Sequence, residues 1–250
     1  MNLEGIDLAR TAVAVVALAG IATTVPWLFG VPHRFAAVTA IARGALQLAL
    51  ISVVLTDVIS DARWVGVVLV VMFAVAAWTA ARRVGPDRRT LVTVAAAMFA
   101  GVAVALGVVF ATGAVALTPR YALALGGIVI GGAMTVAGLT GRRFTEIVDD
   151  RWLEVEGWLA LGATMRRATL DHARLAVRAA LIPSLDQTRT TGLVTLPGAF
   201  VGAIFGGLSP VEAGRFQVVV LASIMAAGSI TAVLLAIGLG ALRVRPVPRT

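Results

Sequence analysis

Long apolar runs, each closed by a short polar or arginine-bearing connection, fill most of this chain. Runs of about 20 residues match the helix length needed to cross a hydrocarbon core of about 30 Å. They are apolar on every side rather than alternating, which predicts helices, the form in which each segment satisfies its own backbone within lipid. Seven spans are predicted, near 8–29, 35–56, 64–81, 90–111, 121–139, 192–208 and 217–242.

One segment breaks the pattern. Between 142 and 178 stand Arg142, Arg143, Glu146, Asp149, Asp150, Arg151, Glu154, Glu156, Arg166, Arg167, Asp171, Arg174 and Arg178. Within it Phe144, Ile147, Val148, Trp152, Val155 and Leu159 recur at steps of three and four, one apolar stripe on an otherwise charged helix. Gly162 is placed to stop that helix. Thr164 is placed to cap a second one, which runs towards Leu181 and ends before Pro183. Two readings stand: an amphipathic helix lying on the membrane surface, or a docking element for a soluble partner. The acid-rich start, the glycine break and the basic continuation favour docking. Such a partner would drive the membrane part from outside.

Composition agrees with a membrane protein. Of 250 residues, 59% are hydrophobic and 14% charged, against about 25% charged in a soluble domain. The fold class is therefore all-α: a polytopic membrane helix bundle of about seven transmembrane helices with a cytoplasmic amphipathic coupling segment at about 140–190. Residues 1–250 read as one transmembrane domain, with no long soluble linker. Cysteine is absent, which excludes disulfides and thiolate metal sites. All 21 basic residues are arginine and the formal charge is +8. Because they cluster at span ends, they read as the cytoplasmic face of a plasma (inner) membrane protein in contact with lipid, not as a nucleic-acid surface. Arg82, Arg83, Arg88, Arg89, the charged segment to Arg189, and Arg243, Arg245 and Arg249 share one side. Glu4, Asp7, Asp57, Asp61 and Glu212 take the other. The expectation is an outside N-terminus and a cytoplasmic C-terminus, with the first span retained because Glu4 and Asp7 stand where a signal peptide is basic.

A few residues inside the spans are candidates for function. Arg43 lies about two turns into the second span, and Gln47 shares its face. They either line a path or gate, or Arg43 snorkels to the headgroups. Pro197 and Gly198 fall inside the sixth span, where proline would bend the helix. Gly198, Gly202 and Gly206 would form a ridge for close helix packing or part of a broken helix at a transport path. Gly127 and Gly131 supply a second ridge. Arg215 and Gln217 stand at the outer start of the last span, as interfacial anchors or an outer gate. His33 and His172 lie singly in polar connections, which disfavours metal ligation. No carboxylate falls clearly at mid-span, so no hard-cation cage is visible.

The chain resembles the permease subunits of ABC transporters of the FetB iron-export type and the related plant aluminium-tolerance permeases. The resemblance covers nearly the whole length. It is carried by Arg43-x-x-x-Gln47-Leu48, Leu161-Gly162-Ala163-Thr164, Arg178-Ala179-Ala180-Leu181-Ile182-Pro183, Gly192-Leu193-Val194-Thr195-Leu196-Pro197-Gly198, Pro210 and Arg215-Phe216-Gln217. The acid Glu156 followed six residues later by Gly162 is similar to the coupling signature of ABC importers. The resemblance implies a homodimeric permease moving a small solute, with metal ion export such as iron the family's cargo, by ATP-driven alternating access. ATP and Mg would be bound by a separate ATP-binding subunit, with no cofactor on this chain. That subunit would push on Glu154, Glu156, Leu161, Gly162, Ala163, Thr164 and Arg166. A chain without lysine has no phosphate-cradling loop ending in Gly-Lys-Ser/Thr, so this chain is expected to be a permease and not an enzyme. Where the family carries two methionines after Pro-Gly, this chain has Ala199 and Phe200. It has Gly132 in place of an asparagine and Ser52 in place of a glycine, so thioether and amide groups suited to a metal path are missing. The alternative is a stand-alone secondary carrier or channel, which would need ionisable groups at membrane depth.

Overall fold

A computed structural model describes residues 6–32, 35–58, 61–85 and 87–240. The described residues are helical throughout, apart from connections and one isolated bridge between Thr191 and Thr195. The helices are α1 (Ile6–Leu28), α2 (Ala36–Val58), α3 (Ala62–Val84), α4 (Arg88–Ala111), α5 (Pro119–Asp150), α6 (Trp152–Ala160), α7 (Met165–Ala168), α8 (Leu170–Thr190), α9 (Gly198–Phe205) and α10 (Pro210–Leu239). Five of them carry segments long and apolar enough to cross a membrane: Arg10–Leu28 within α1, and α3, α4, α5 and α10. The apolar part of α2 found among the described residues, Ala36–Ser52, is shorter. Glu4, His33, Arg243, Arg245, Arg249 and the predicted end of the last span at Leu242 lie outside the described residues.

Two compact units divide at Val58. In the first, α1 and α2 pair across a turn at Gly30, whose φ of +82° suits glycine. Most of α2 is exposed apolar surface, with Leu46, Leu48 and Leu50 each more than half exposed.

The second unit is a bundle of α3, α4, α5, α8 and α10. Local chemistry fixes where its helices begin. Asp61 accepts from the Arg63 amide at 2.9 Å to start α3. Thr118 caps α5 ahead of Pro119. Ser209 and Glu212 form a reciprocal capping box at α10, with Pro210 in the first turn. Small residues then set the packing. A Cβ on Gly126 would meet Leu69, and one on Gly141 would meet Val84, so α3 and α5 run side by side in the same direction. Gly132 against Ile224 and Gly228 against Val136 make α5 and α10 parallel as well. Gly101 opposite Ala227 and Thr231, and Thr93 opposite Gly238, place α4 antiparallel to α10. The core between them is rich in alanine and valine, with Met98, Leu125 and Leu235 fully buried.

Three expectations need correction. The helix that carries the fifth span does not stop near Leu139 but runs on to Asp150, and 32 residues rise about 48 Å, so its charged end projects well beyond a core of about 30 Å. The stretch 192–208 is not one spanning helix. It is a turn with Gly192 at φ +89°, then α9, whose 8 residues rise only about 12 Å. Pro197 is the cap of α9 in extended conformation (φ −62°, ψ 143°) and starts a helix instead of bending one.

The third correction concerns α8. The helix after Thr164 breaks at Thr169, restarts, and continues through Pro183 to Thr190. It is not wholly part of a projecting segment. Its start lies by the end of α10, where a Cβ on Gly240 would meet Thr169 Oγ1. Further along, Ala180 clusters with Val136 and Ala232, and Leu181 lies beside Gly228. α8 thus folds back antiparallel to α5 and α10, burying His172, Ala173, Ala176 and Ala180. Since α5 ends at one end of the bundle and α10 begins at the other, α8, the turn and α9 together make the return.

Candidate coupling elbow and transport surface

Beyond the apolar helices, the end of α5 and α6 form an elbow. The predicted stripe is real, but it faces protein: Phe144, Val148 and Val155 are buried in the main core, with Ile147, Trp152 and Leu159 packed on it. The stripe spans two helices, because α5 ends at Asp150 and the chain turns at Arg151 (φ −112°, ψ 30°) before α6. Its use as internal packing leaves the opposite side of the elbow free.

That opposite side combines apolar and charged groups. Leu153 is 83% exposed and Leu161 82%, with Trp158 about half exposed. Glu154, Glu156, Arg166 and Arg167 stand around them in exposed positions. Glu156 accepts from Trp152 Nε1, and the Arg167 guanidinium lies 5.9 Å from the Trp158 ring centre, within cation–π reach. Gly162, at φ +84°, reverses the chain as expected. Its amide donates to the Leu159 carbonyl at 2.9 Å, and the Ala163 amide donates to that of Trp158 at 3.0 Å. Thr164 accepts from the Arg167 amide at 3.4 Å and caps α7. The residues predicted for coupling therefore gather in one place: Glu154 and Glu156 on α6, Leu161 to Thr164 in the reversal, and Arg166 on α7.

Sequence reasoning set His172 aside, yet it ties the elbow to the bundle. On the first turn of α8 it is buried, and its Nε2 lies 3.4 Å from a Glu154 carboxylate oxygen. Neither ring nitrogen has a well-formed hydrogen bond, so this is a charge contact only when the imidazole is protonated. A signal was present in the sequence: His172, Ala173, Ala176 and Ala180 repeat at helical spacing, the mark of a face closely packed on other helices.

The proposed path residues are divided between the two units, Arg43 and Gln47 in the first and the others in the second. Arg43 and Gln47 are both exposed on α2, in the first unit. Gly198 and Gly202 have nothing within 4 Å of where a Cβ would stand, and Gly206 meets only carbonyls of its own helix, so the predicted ridge packs against nothing among the described residues. In the second ridge Gly127 is opposed by Met72, while Gly131 faces open space. Arg215 is exposed. Gln217 is buried in α10, one residue after Phe216, which stacks at a tilt on Tyr121 (ring centres 5.6 Å apart), and its side-chain carbonyl has no hydrogen-bond partner. Among the described residues no three His, Asp or Glu side chains gather as metal ligands would.

Comparison with known proteins places these features in a family. Residues 9–242 match the profile described as "Uncharacterised protein family (UPF0014)". The chain is 38% identical over 197 residues to the "UPF0014 membrane protein STAR2" of Oryza sativa subsp. japonica, covering 78% of this chain and 69% of that protein. It is 33% identical to the "Protein ALUMINUM SENSITIVE 3" of Arabidopsis thaliana, over 77% and 71%. It is 30% identical to the "Probable iron export permease protein FetB" of Escherichia coli (strain K12), over 78% and 76%. No solved structure matches the chain.

Proposed function

The chain belongs to the UPF0014 family of membrane proteins, and from that premise we propose that it is the membrane-spanning permease subunit of an ABC transporter. It is a multi-pass membrane protein with a relative named as a probable iron export permease. In this reading a separate ATP-binding subunit holds ATP and Mg. It docks on the elbow of α6, Gly162 and α7, and its closure drives alternating access in a permease homodimer. The cargo is a small solute, with metal ion export such as iron taken from the FetB relative. The elbow lies on the cytoplasmic side with the C-terminus, and the N-terminus lies outside, as the arginine distribution favours.

The observation that carries this reading is the exposed elbow surface. Leu153 and Leu161, more than four-fifths exposed, sit among charges on a part of the chain that reaches past the apolar helices. Its inner face is already spent on the core, so these groups face outward on a firm base. Exposed apolar anchors ringed by charge suit a protein partner. Force applied there has a direct route inward: Glu154 meets His172 at the start of α8, and α8 packs along α5 and α10. Arg43, Gln47, Pro197, Gly198, Gly202, Arg215 and Gln217 remain the path or gate residues of this proposal.

Co-purification with the ATP-binding subunit, followed by vesicle transport with and without ATP, tests it. Gly162→Pro and Glu156→Arg are expected to leave the chain inserted and to weaken subunit binding by about tenfold or more, on the scale of losing a central interface group. Unchanged binding in both variants removes the docking role of the elbow. Transport at full rate without ATP replaces the reading with that of a stand-alone carrier.

A further inference from the structure

The outward side of α8 carries charged groups, beside exposed Ile182 and Leu185, at a depth where lipid should be. Leu181 lies beside Gly228, near the middle of α10, and α8 continues past it to Thr190. At about 1.5 Å per residue, antiparallel progress brings Asp186 to about the level of Ser223, and Arg189 to about that of Val220. Both levels fall in the central part of an apolar helix. Yet Asp186 and Arg189 are paired at 3.6 Å with side chains 62% and 74% exposed. Gln187 and Arg178 are exposed as well. The inner side of the same helix is packed, with Ala176 and Ala180 at or near zero exposure. The carboxylates and arginines of α8 are therefore all on the side turned away from the bundle.

Ionic groups in a bilayer turn from lipid towards water or other protein. Asp186 and Arg189 meet each other but keep most of their surface, which is how charges at a wet wall behave and how sealed charges do not. We propose that the outward face of α8, around Arg178, Asp186, Gln187 and Arg189, is a water-facing wall of the transport path near mid-bilayer. This rests on the permease reading and adds to it the segment that borders the path. It replaces the apolar stretch 192–208 with a helix whose charge had kept it from being counted as a span. It also gives the elbow a lever: α6 touches α8 at one end, and the wall occupies the other.

The chain has no cysteine, so single-cysteine variants report on one site each. Gln187→Cys and, as a second variant, Leu185→Cys would be made in the full chain in membrane vesicles of both orientations. Val104→Cys, on an exposed apolar position of α4, serves as the lipid-depth control. The probe is a charged, membrane-impermeant thiosulfonate, which reacts with the thiolate that water supports and hydrocarbon suppresses. The expected result is labelling of both α8 positions from at least one side, at least about tenfold faster than Val104→Cys. Labelling of both α8 variants no faster than the control, with all thiols reacting after denaturation, overturns the proposal. So does an oxidant-induced disulfide between two copies at Gln187→Cys without labelling, since a second copy would then seal this face. ATP-driven transport that survives with no labelling sinks this inference alone. Labelling with ATP-indifferent transport leaves the wall and removes the ABC reading.

Discussion

Gly101→Ala tests the packing on which the bundle rests. A Cβ at this position of α4 would lie 2.4 Å from the Ala227 carbonyl oxygen and 2.6 Å from Thr231 Oγ1. The carbonyl belongs to helical backbone and cannot swing aside. An ordinary carbon–oxygen contact is about 3.3 Å or more, so α10 must retreat by about 1 Å along most of the contact. Overpacking of this kind costs about 1–3 kcal/mol. The retreat also breaks the hydrogen bond that Thr231 Oγ1 donates to the Ala97 carbonyl at 3.4 Å, worth about 0.6 kcal/mol between membrane helices. Against this stands about 1 kcal/mol from alanine's better helix propensity. The net is a loss of about 0.6–2.6 kcal/mol. Gly131→Ala is the matched control: it sits in α5 with nothing within 4 Å, so it keeps the propensity gain without the clash. The measurement is thermal unfolding of both variants in the same detergent. The shared propensity gain cancels between the two, so Gly101→Ala should melt below Gly131→Ala by about 3–14 °C, from about 1.6–3.6 kcal/mol at about 2–4 °C per kcal/mol for a chain of this size. Equal melting temperatures would refute the close approach of α4 and α10 and, with it, the register of the whole second unit.

Two further outcomes follow from single contacts. His172→Leu should leave thermal stability within about 1 kcal/mol, because the buried ring nitrogens it removes make no well-formed hydrogen bond. The same change should lower ATP-coupled transport by severing the Glu154 contact between elbow and α8; transport equal to the parent chain would show that this contact carries no force. Ser209→Ala removes the hydroxyl that accepts from the Glu212 amide at 3.3 Å and donates to its carboxylate at 2.7 Å. It should cost about 1 kcal/mol, seen as a lower melting temperature, and an unchanged melting curve would mean that the α10 start is held by other contacts.

How much was legible beforehand differs from helix to helix. The starts of α3, α4 and α5 lie within a few residues of hydrophobic runs that are long, uniform and bounded by caps or arginines. The elbow was legible as well, because its stripe, glycine and threonine each act through local geometry: Gly162 takes the left-handed backbone and Thr164 closes the next turn. The stretch 192–208 reads as a span for a physical reason: its hydropathy is high, while the turn at Gly192 and the cap at Pro197 that leave only 8 helical residues are local backbone features hydropathy does not weigh. Arg178, Asp186 and Arg189 made α8 look like part of the aqueous segment.

Composition and local pattern by themselves determined that this is a helical membrane protein with an amphipathic, water-exposed elbow, because lipid forces each crossing segment to satisfy its own backbone. Only the tertiary structure decided which glycines pack, that the elbow stripe faces protein, that His172 meets Glu154, and that α8 turns back along α5 and α10. Those outcomes depend on contacts between residues far apart in the chain, which spacing along one helix cannot encode.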